Sequence, residues 1–314
     1  MLAGALAGIL TGAAWLGVQA FLPARPTAGL VSFLGSLEVR REGSGAFGGA
    51  HSGDRVLNGD QVRTGALSRA AIDYPSGSVT RLNQLTTVQI SGLAQQGPSA
   101  SEKLTQLSGQ SWTRVRNLTG GARFVISAPN GTSIEVRGTQ LSIYVEPASV
   151  RVDGWSGTVS VAARGASVQV PAGKSTNVGA GQPPTPPADI PQADRTDPFT
   201  LFNLAADAVG GTVLLFKDGV LPGGSFGPTP GAPGDGSSDL AFTLTWPAGA
   251  TFQLSVLRPD GAVAKETESE SGLITIVVPK AAKGVWSYYV VHVEPSPSVA
   301  WSVVVSRLPG GASS

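Results

Sequence analysis

The sequence predicts an all-β protein with an N-terminal transmembrane helix, a meandering β domain over residues 30–181 and a small β-sandwich over residues 239–308. Three observations support this fold class. The 314 residues include 42 glycines and 23 prolines, which favour tight turns between short strands. Apolar and polar residues alternate in many short runs, as in strands with one buried face. The first 24 residues carry no charged side chain, whereas 14% of the whole chain is charged.

The N-terminal segment is long and apolar enough to cross a membrane. It runs from Leu2 to Leu22, the first charged residue is Arg25, and a span needs about 20 mainly apolar residues. Residues 1–24 are therefore expected to be a transmembrane anchor or an uncleaved signal. The protein is then single-pass in the cell membrane with the bulk of the chain extracytoplasmic. Basic residues follow this segment and none precedes it, which suggests that the natural chain begins upstream of Met1.

Three glycines recur at every fourth position of this segment, at Gly4, Gly8 and Gly12. Small residues at this spacing allow two membrane helices to approach closely. The same spacing also arises by chance in a segment rich in glycine and alanine. These glycines are candidates for helix packing.

The first β domain is predicted from period-two alternation between residues 30 and 181. One face of each predicted strand is apolar, as in Leu37 and Val39, Ile134 and Val136, Leu141 and Ile143, Val150 and Val152, Val159 and Val161, and Val168 and Val170. Glycine begins many of these runs, since it tolerates the positive φ of a tight turn. The runs are unevenly spaced, which favours a meander of strands over a strict repeat.

An ordered series of motifs in this region resembles the FecR domain family. Residues 53–65 read GDRVLNGDQVRTG, a Gly-Ser turn follows the next strand, and VRGT stands at residues 136–139. The residues that carry the resemblance are Gly53, Leu57, Gly59, Asp60, Val62, Thr64, Gly65, Gly77, Ser78, Arg137, Gly138, Thr139, Gly157 and Gly173. The resemblance covers about half of the chain in the family's order.

This resemblance implies a bacterial, extracytoplasmic, all-β interaction module. The best-known members are single-pass regulators that relay a signal from an outer-membrane receptor to a cytoplasmic sigma factor. The present sequence departs from them in two ways. It shows no cytoplasmic segment before the apolar segment, and its C-terminal part does not look like their small mixed α/β subdomain.

Within the motif we expect structural roles. Asn58, Gly59 and Asp60 form a natural turn, in which the Asp60 carboxylate would cap nearby backbone N–H groups. Arg137 is expected to pair with a carboxylate across strands.

Residues 182–238 are predicted to be a linker rich in proline and glycine, with a short helix near residues 198–209. Asp197 would cap this helix and Pro198 would occupy its first position. Within this region Thr212 to Lys217 are a candidate strand, and residues 222–238 are expected to form a second, mobile linker.

The C-terminal region alternates again and is similar to small β-sandwiches of the immunoglobulin-like or pre-peptidase C-terminal type. A Pro-Asp-Gly turn at residues 259–261 and Gly284 before Trp286 carry this likeness. Its aromatic residues are expected to fill the core; the alternative is a platform that stacks sugars. These residues are Trp246, Trp286, Tyr288, Tyr289 and Trp301.

Nothing in the sequence points to catalysis. There is no cysteine, which excludes disulfides, zinc thiolate sites and thiol nucleophiles. The two histidines, His51 and His292, stand in different regions without a triad or metal pattern. We therefore expect no catalytic, cofactor-binding or metal-binding residues, and no cofactor. The 22 basic and 21 acidic side chains nearly cancel, which predicts no basic face and no nucleic-acid partner.

The sequence thus favours a membrane-anchored, non-catalytic sensing or interaction module with a protein partner in the cell envelope. One alternative is a structural or adhesive envelope protein that binds cell-wall glycan. Another is a transmembrane regulator of a sigma-factor system, which requires a start upstream of Met1.

Overall fold

The computed structural model describes residues 25–94, 100–294 and 297–308. The predicted membrane segment, with Gly4, Gly8 and Gly12, lies outside the described residues. Within these ranges no helix is both long and apolar enough to cross a membrane. The described part of the chain is built almost entirely of strands, which confirms the all-β prediction.

The first domain contains seventeen strands, arranged as two face-to-face sheets that are continuous through one shared strand. They are β1 (Ala28–Leu34), β2 (Leu37–Arg40), β3 (Gly48–Ala50), β4 (Arg55–Val56), β5 (Gln61–Thr64), β6 (Arg69–Asp73), β7 (Val79–Leu82), β8 (Thr87–Gly92), β9 (Glu102–Arg114), β10 (Phe124–Ala128), β11 (Thr132–Val136), β12 (Gln140–Val145), β13 (Ser149–Ser156), β14 (Thr158–Ala163), β15 (Ala166–Pro171), β16 (Lys174–Gly179) and β17 (Ala188–Asp189). A single 3-10 turn, Pro129–Gly131, joins β10 to β11.

The long strand β9 belongs to both sheets, because it bends at Gly109, where φ is +81°. One sheet has the order β4-β1-β6-β7-β9-β12-β13-β16-β17. The other has the order β3-β2-β5-β8-β9-β10-β11-β14-β15. Only the β9–β10 pairing is parallel among these. The alternating apolar residues meet between the sheets and form one core, which includes Leu30, Leu82, Leu104, Phe124 and Ile143.

Two helices follow, α1 (Gln192–Arg195) and α2 (Pro198–Val209). The Asp197 side chain accepts the Thr200 N–H, and Pro198 occupies the first turn of α2. The buried face of α2 presents Phe199, Phe202 and Ala206. The helix lies across the outer face of the first sheet, where it packs on Trp112 together with Val304 of the second domain.

The second domain is a sandwich of two four-stranded antiparallel sheets. Its strands are β18 (Thr212–Leu221), β19 (Gly224–Gly234), β20 (Leu240–Thr245), β21 (Phe252–Leu257), β22 (Val263–Ser269), β23 (Leu273–Val278), β24 (Gly284–His292) and β25 (Val299–Arg307). One sheet has the order β18-β25-β20-β23 and the other β19-β24-β21-β22.

The candidate strand at residues 212–217 lies within β18, whereas the linker predicted for residues 222–238 is wrong for Gly224–Gly234, which form β19 of this sandwich. Proline and glycine misled the prediction because β19 is an edge strand, paired only with β24. An edge strand tolerates proline, since its outer side needs no N–H donors. Pro228, Pro230 and Pro233 all lie in it.

Candidate functional sites on two edges of the first domain

The turns of the first domain gather on two opposite edges of the sandwich. The motif edge comprises the turns at residues 57–60, 74–78, 115–123, 137–139, 157 and 171–173. The leucine edge comprises the turns at residues 34–36, 65–68, 83–86 and 107–109. The register of β1 against β6 fixes this assignment, because Gly29 faces Asp73 at one edge and Leu34 faces Arg69 at the other.

Asp60 organises the first turns of the motif edge. Its carboxylate accepts the backbone N–H groups of Leu57 and Glu42 at 3.0 Å each, and Arg41 Nη1 lies 2.7 Å from Oδ2. Asp60 is buried, and all of its contacts are internal. Gly59 has φ of +88°, and a Cβ there would clash with the Glu42 side chain. Asp60 therefore caps backbone N–H groups of the turn, as predicted.

Ser78 and Gly77 close the β6–β7 turn over a buried carboxylate. Glu102 accepts the Ser76 N–H at 2.8 Å and the Ser76 hydroxyl at 2.6 Å. Ser76 Oγ lies 2.8 Å from Ser78 Oγ, which in turn accepts the Arg116 N–H at 3.2 Å. Burial raises the pKa of Glu102, and the two Ser76 hydrogen bonds offset part of the shift.

The later motif residues pack against one another at the same edge. A Cβ on Gly138, where φ is +92°, would clash with Asn117 Oδ1. A Cβ on Gly157 would lie 2.5 Å from Thr139 Cγ2. Arg137 was expected to pair across strands; instead its closest carboxylate is Glu135 of its own strand, at 3.6 Å. Because β11 ends at Val136, the Arg137 side chain has left the sheet and reaches back along it.

The remaining motif residues hold the chain at turns and in the core. Gly53 and Gly173 occupy turns with positive φ, and the Gly53 N–H donates to Leu30 O at 2.9 Å. Val62 is fully buried in the core and Leu57 is half-buried. Thr64 and Gly65 stand apart from the others, on the leucine edge.

A polar groove of about 370 Å³ opens on the motif edge. It is lined by Gly77, Arg114, Val115, Arg116, Asn117, Gly138, Thr139, Gln140 and Ser156. Arg116 is exposed, and among the described residues no carboxylate lies within 4 Å of its charged nitrogens. Sequence reasoning missed this groove, since Arg114, Asn117 and Ser156 belong to none of the motifs.

Beneath the groove a buried carboxylate joins the first domain to α2, which also packs on Val304 of the second domain. Asp207 of α2 lies 2.8 Å from Arg81 Nη1 and 3.5 Å from Arg114 Nε. Its other oxygen accepts Trp112 Nε1–H at 2.8 Å and Gln140 Nε2–H at 3.3 Å. Arg114 and Gln140 also line the groove, so the groove and the helix share two side chains.

A second ionic contact joins the domains near the leucine edge. Arg69 Nη1 lies 2.7 Å from Asp218 Oδ2, and its guanidinium lies over the rings of Phe199, Phe202 and Phe216. Burial raises the pKa of Asp218, and Arg69 offsets part of that shift. Ion pairs therefore stabilise the packing of the first domain near both edges, through Asp207 at the motif edge and Asp218 at the leucine edge.

The middle of the same sheet face holds a third buried acid, Asp153. Burial and the neighbouring Asp194 raise its pKa to about 6, while hydrogen bonds from Ser175 and Ser142 and the charge of Arg151 oppose the shift. Arg151 Nη2 lies 2.8 Å from Asp194 Oδ1 and stacks on Tyr144. Asp153 is fully buried in this cluster, whereas Arg151 and Tyr144 are half-buried.

The leucine edge differs in chemistry. Leu67 is 78% exposed and Leu85 64% exposed, and both have positive φ, of 51° and 54°. Leu34 and Leu107 on the adjoining turns are also exposed. The turns touch, because the Leu85 N–H donates to Gly65 O at 3.1 Å and a Cβ on Gly109 would lie 2.8 Å from Leu85 O. These four leucines form a row, and no ionisable residue occurs in the four turns.

Four of the five aromatic residues that were predicted to fill the core of the second domain do so: Trp246, Trp286, Tyr288 and Trp301 are buried. The fifth, Tyr289, is half-buried. His292 is also buried, stacked on Phe252, and His51 lies in a turn of the first domain. Across residues 25–94, 100–294 and 297–308, no three histidine or acidic side chains are grouped as a metal site would require.

Comparison with known proteins identifies the first domain. Residues 60–178 match the model of the family described as FecR protein, so this part of the chain is a FecR domain and the resemblance is confirmed. No curated protein matches the sequence.

Two crystal structures described as a "putative anti-sigma factor" from Parabacteroides distasonis are similar, each at 15% identity. Their TM-scores are 0.37 and 0.38, with 43% and 54% of this chain covered. The matches cover 62% and 68% of those chains, so this chain spans less than two thirds of the first.

Proposed function

We propose that this FecR-domain chain is a membrane-anchored, extracytoplasmic and non-catalytic sensing module that binds a protein partner along its leucine edge. The observation that carries the proposal is the row of exposed leucines, two of which hold a left-handed backbone. The family match supports an interaction role, and the uncharged segment at residues 1–24 supports the anchor.

The exposed leucines lower the stability of the free protein. A left-handed backbone costs a leucine about 1–2 kcal/mol, whereas glycine or asparagine adopts it readily. A large apolar side chain at a turn tip gains nothing from burial in the free protein. Strained residues of this kind cluster at functional sites, and exposed apolar patches mark interaction surfaces. The leucines at positions 67 and 85 are therefore best explained by a partner that covers them.

The row leads into a crevice between the two domains. This crevice, of about 310 Å³, is lined by Leu34, Leu67, Arg69, Pro198 and Phe216 among others. A partner seated on the row would therefore contact both domains. Because Arg69–Asp218 and the Asp207 contacts pin the domains together, such a partner meets one continuous surface.

The proposal is tested by capture from envelope extract on the immobilised full chain. The test variant is Leu67→Asn/Leu85→Asn, since asparagine tolerates the left-handed backbone and the fold is kept. The matched control is Val263→Asn/Val285→Asn, which removes two exposed apolar side chains from the second domain. We expect a protein that the wild type and the control capture and the leucine variant does not. Equal capture by all three chains would contradict the proposed site.

The glycan-binding alternative is distinguished by sedimentation with purified cell wall. Retention there, with no protein enriched from the extract, would overturn the proposed function in favour of an adhesive role. The buried tryptophans provide no stacking surface for sugars, so such a role would need other residues. Regulation of a sigma factor would be indicated by an adjacent sigma-factor gene and a coding sequence that extends upstream of Met1.

A further inference from the structure

We infer that the motif edge is a basic surface that rests on anionic phospholipid headgroups, with the polar groove receiving one headgroup phosphate. The inference rests on the proposed membrane anchor. It assigns the two edges to different tasks, the motif edge to the bilayer and the leucine edge to the protein partner.

The chain path places the bilayer at this edge. Strand β1 begins at Ala28 on the motif edge, and the predicted membrane segment ends at residue 24. The residues between them span at most about 14 Å when fully extended. The leucine edge lies a further strand length away, on the order of 20 Å along β1. A membrane that holds the segment therefore faces the motif edge first.

The charge of this edge complements an anionic surface. Arg25, Arg55, Arg116, Arg123 and Arg137 are all exposed along it. The edge also carries three exposed acidic residues, Glu42, Asp73 and Asp189, and the half-buried Glu135, which is shared by Arg123 and Arg137 at 3.5 and 3.6 Å. Two other carboxylates of the edge, Asp60 and Glu102, are buried and make internal contacts. The exposed arginines of this edge therefore outnumber its exposed carboxylates by five to three.

The groove has the chemistry that a phosphate requires. Arg116 offers a guanidinium without a carboxylate partner among the described residues, and it lies over the Gly77 turn. Arg114 is a second guanidinium, held only at 3.5 Å by Asp207, and Asn117 and Ser156 add an amide and a hydroxyl. Guanidinium groups bind phosphate through paired N–H donors. The glycines at 77 and 138 keep side chains out of this space.

The leucine edge offers no such surface. Its four leucine turns contain no ionisable side chain, and two neighbouring turns carry the exposed Glu146 and the exposed Arg164, whose charges offset each other. An anionic bilayer would therefore attract the motif edge in preference to the opposite one, and salt would weaken that attraction.

The test measures the orientation of the full chain in nanodiscs of phosphatidylcholine, with or without phosphatidylglycerol. The chain has no cysteine, so a single introduced cysteine carries a unique fluorescent label. Ala172→Cys places the label on the motif edge and Ala66→Cys on the leucine edge, both at exposed alanines. A spin-labelled lipid headgroup quenches the fluorophore only at close range. We expect strong quenching at 172 in discs that contain phosphatidylglycerol, and little at 66.

Charge variants complete the test. Arg116→Gln/Arg123→Gln/Arg137→Gln should reduce quenching at 172 to roughly half or less, since each basic residue near the surface contributes to the attraction. Arg164→Gln/Lys217→Gln/Lys265→Gln removes the same charge from exposed positions elsewhere and should leave quenching unchanged. Equal quenching at 172 and 66, or no dependence on lipid charge, in chains that co-elute with the discs would overturn the inference and leave the anchor intact. Failure to enter the discs would overturn the proposed anchor itself, and this inference with it.

Discussion

The two edges of the FecR domain differ in the residues that form their tight turns. At the motif edge, glycines supply the positive φ and buried polar side chains such as Asp60 and Glu102 hold the turns. At the leucine edge, Leu67 and Leu85 adopt positive φ themselves and remain exposed. The residues of the motif edge are those that stabilise tight turns, whereas Leu67 and Leu85 on the leucine edge destabilise theirs. This difference indicates that the two leucines are present for a function other than folding.

The same comparison assigns the signature residues. Most of them lie on the motif edge, and their contacts are with the backbone or with neighbouring turn side chains such as Arg41, Ser76 and Asn117. Their main task is therefore to form the edge. The leucines at 67 and 85, which are outside the signature, are the residues that turn geometry does not explain.

The largest expected effect is on the motif edge. Asp60→Ala would leave two backbone N–H groups and Arg41 without their acceptor, and we expect a loss of about 3 kcal/mol in the free energy of unfolding. Urea denaturation measures it. Asp54→Ala removes a single turn contact, to the His51 N–H, and should cost about 1 kcal/mol or less. Equal losses for the two variants would show that Asp60 does not organise this edge.

Between the two edges, the buried Asp153 should make the stability of the folded chain depend on pH. The pKa of Asp153 is raised to about 6 in the folded chain, above its usual value, so the native state keeps the proton longer than the unfolded state. Its contribution to stability is therefore present below about pH 4 and is lost as the pH rises through about 6. Asp153→Asn should be more stable than the wild type by up to about 3 kcal/mol at pH 8, with no gain near pH 4. A pH-independent difference between the two chains in urea denaturation would contradict this origin.

Alanine substitutions at two glycine turns distinguish the cost of backbone strain from the cost of a steric clash. Gly138→Ala on the motif edge combines a positive φ with a clash against Asn117, and we expect a loss of about 2 kcal/mol. Gly165→Ala, at a turn with positive φ and open space, should lose only about 1 kcal/mol. Thermal and urea unfolding of the pair measures the difference. If the two losses are the same, the packing of the motif turns is not what requires glycine at position 138.

The smallest expected effect has the opposite sign. Leu67→Asn and Leu85→Asn should each raise the free energy of unfolding by about 1 kcal/mol, because asparagine relieves the left-handed strain. Ala66→Asn, at the neighbouring exposed position, should change it by less than about 0.5 kcal/mol. A loss of stability in the leucine variants would mean that these side chains serve the fold, and the contrast between the edges would disappear.

Much of the architecture followed from local pattern. Period-two alternation predicted the strands of the first domain, and the Asp197-Pro198 pair predicted the start of α2. The turn at Asn58, Gly59 and Asp60 was predicted because its residue types favour a turn wherever it occurs. The edge strand β19 was missed because its three prolines resemble a linker unless the pairing partner β24 is known.

The sequence by itself determined the all-β fold, the family of the first domain and the absence of thiol chemistry, since these depend on residue types and short-range spacing. Tertiary structure alone decided what the edges are. The row of leucines, the groove beside Arg116 and the Asp207 contacts join residues that are far apart in the chain. Because a net charge is a sum, it cannot report which charged side chains are exposed and which are buried. Because φ is set by the turn, only the fold reveals that two of the exposed leucines are strained.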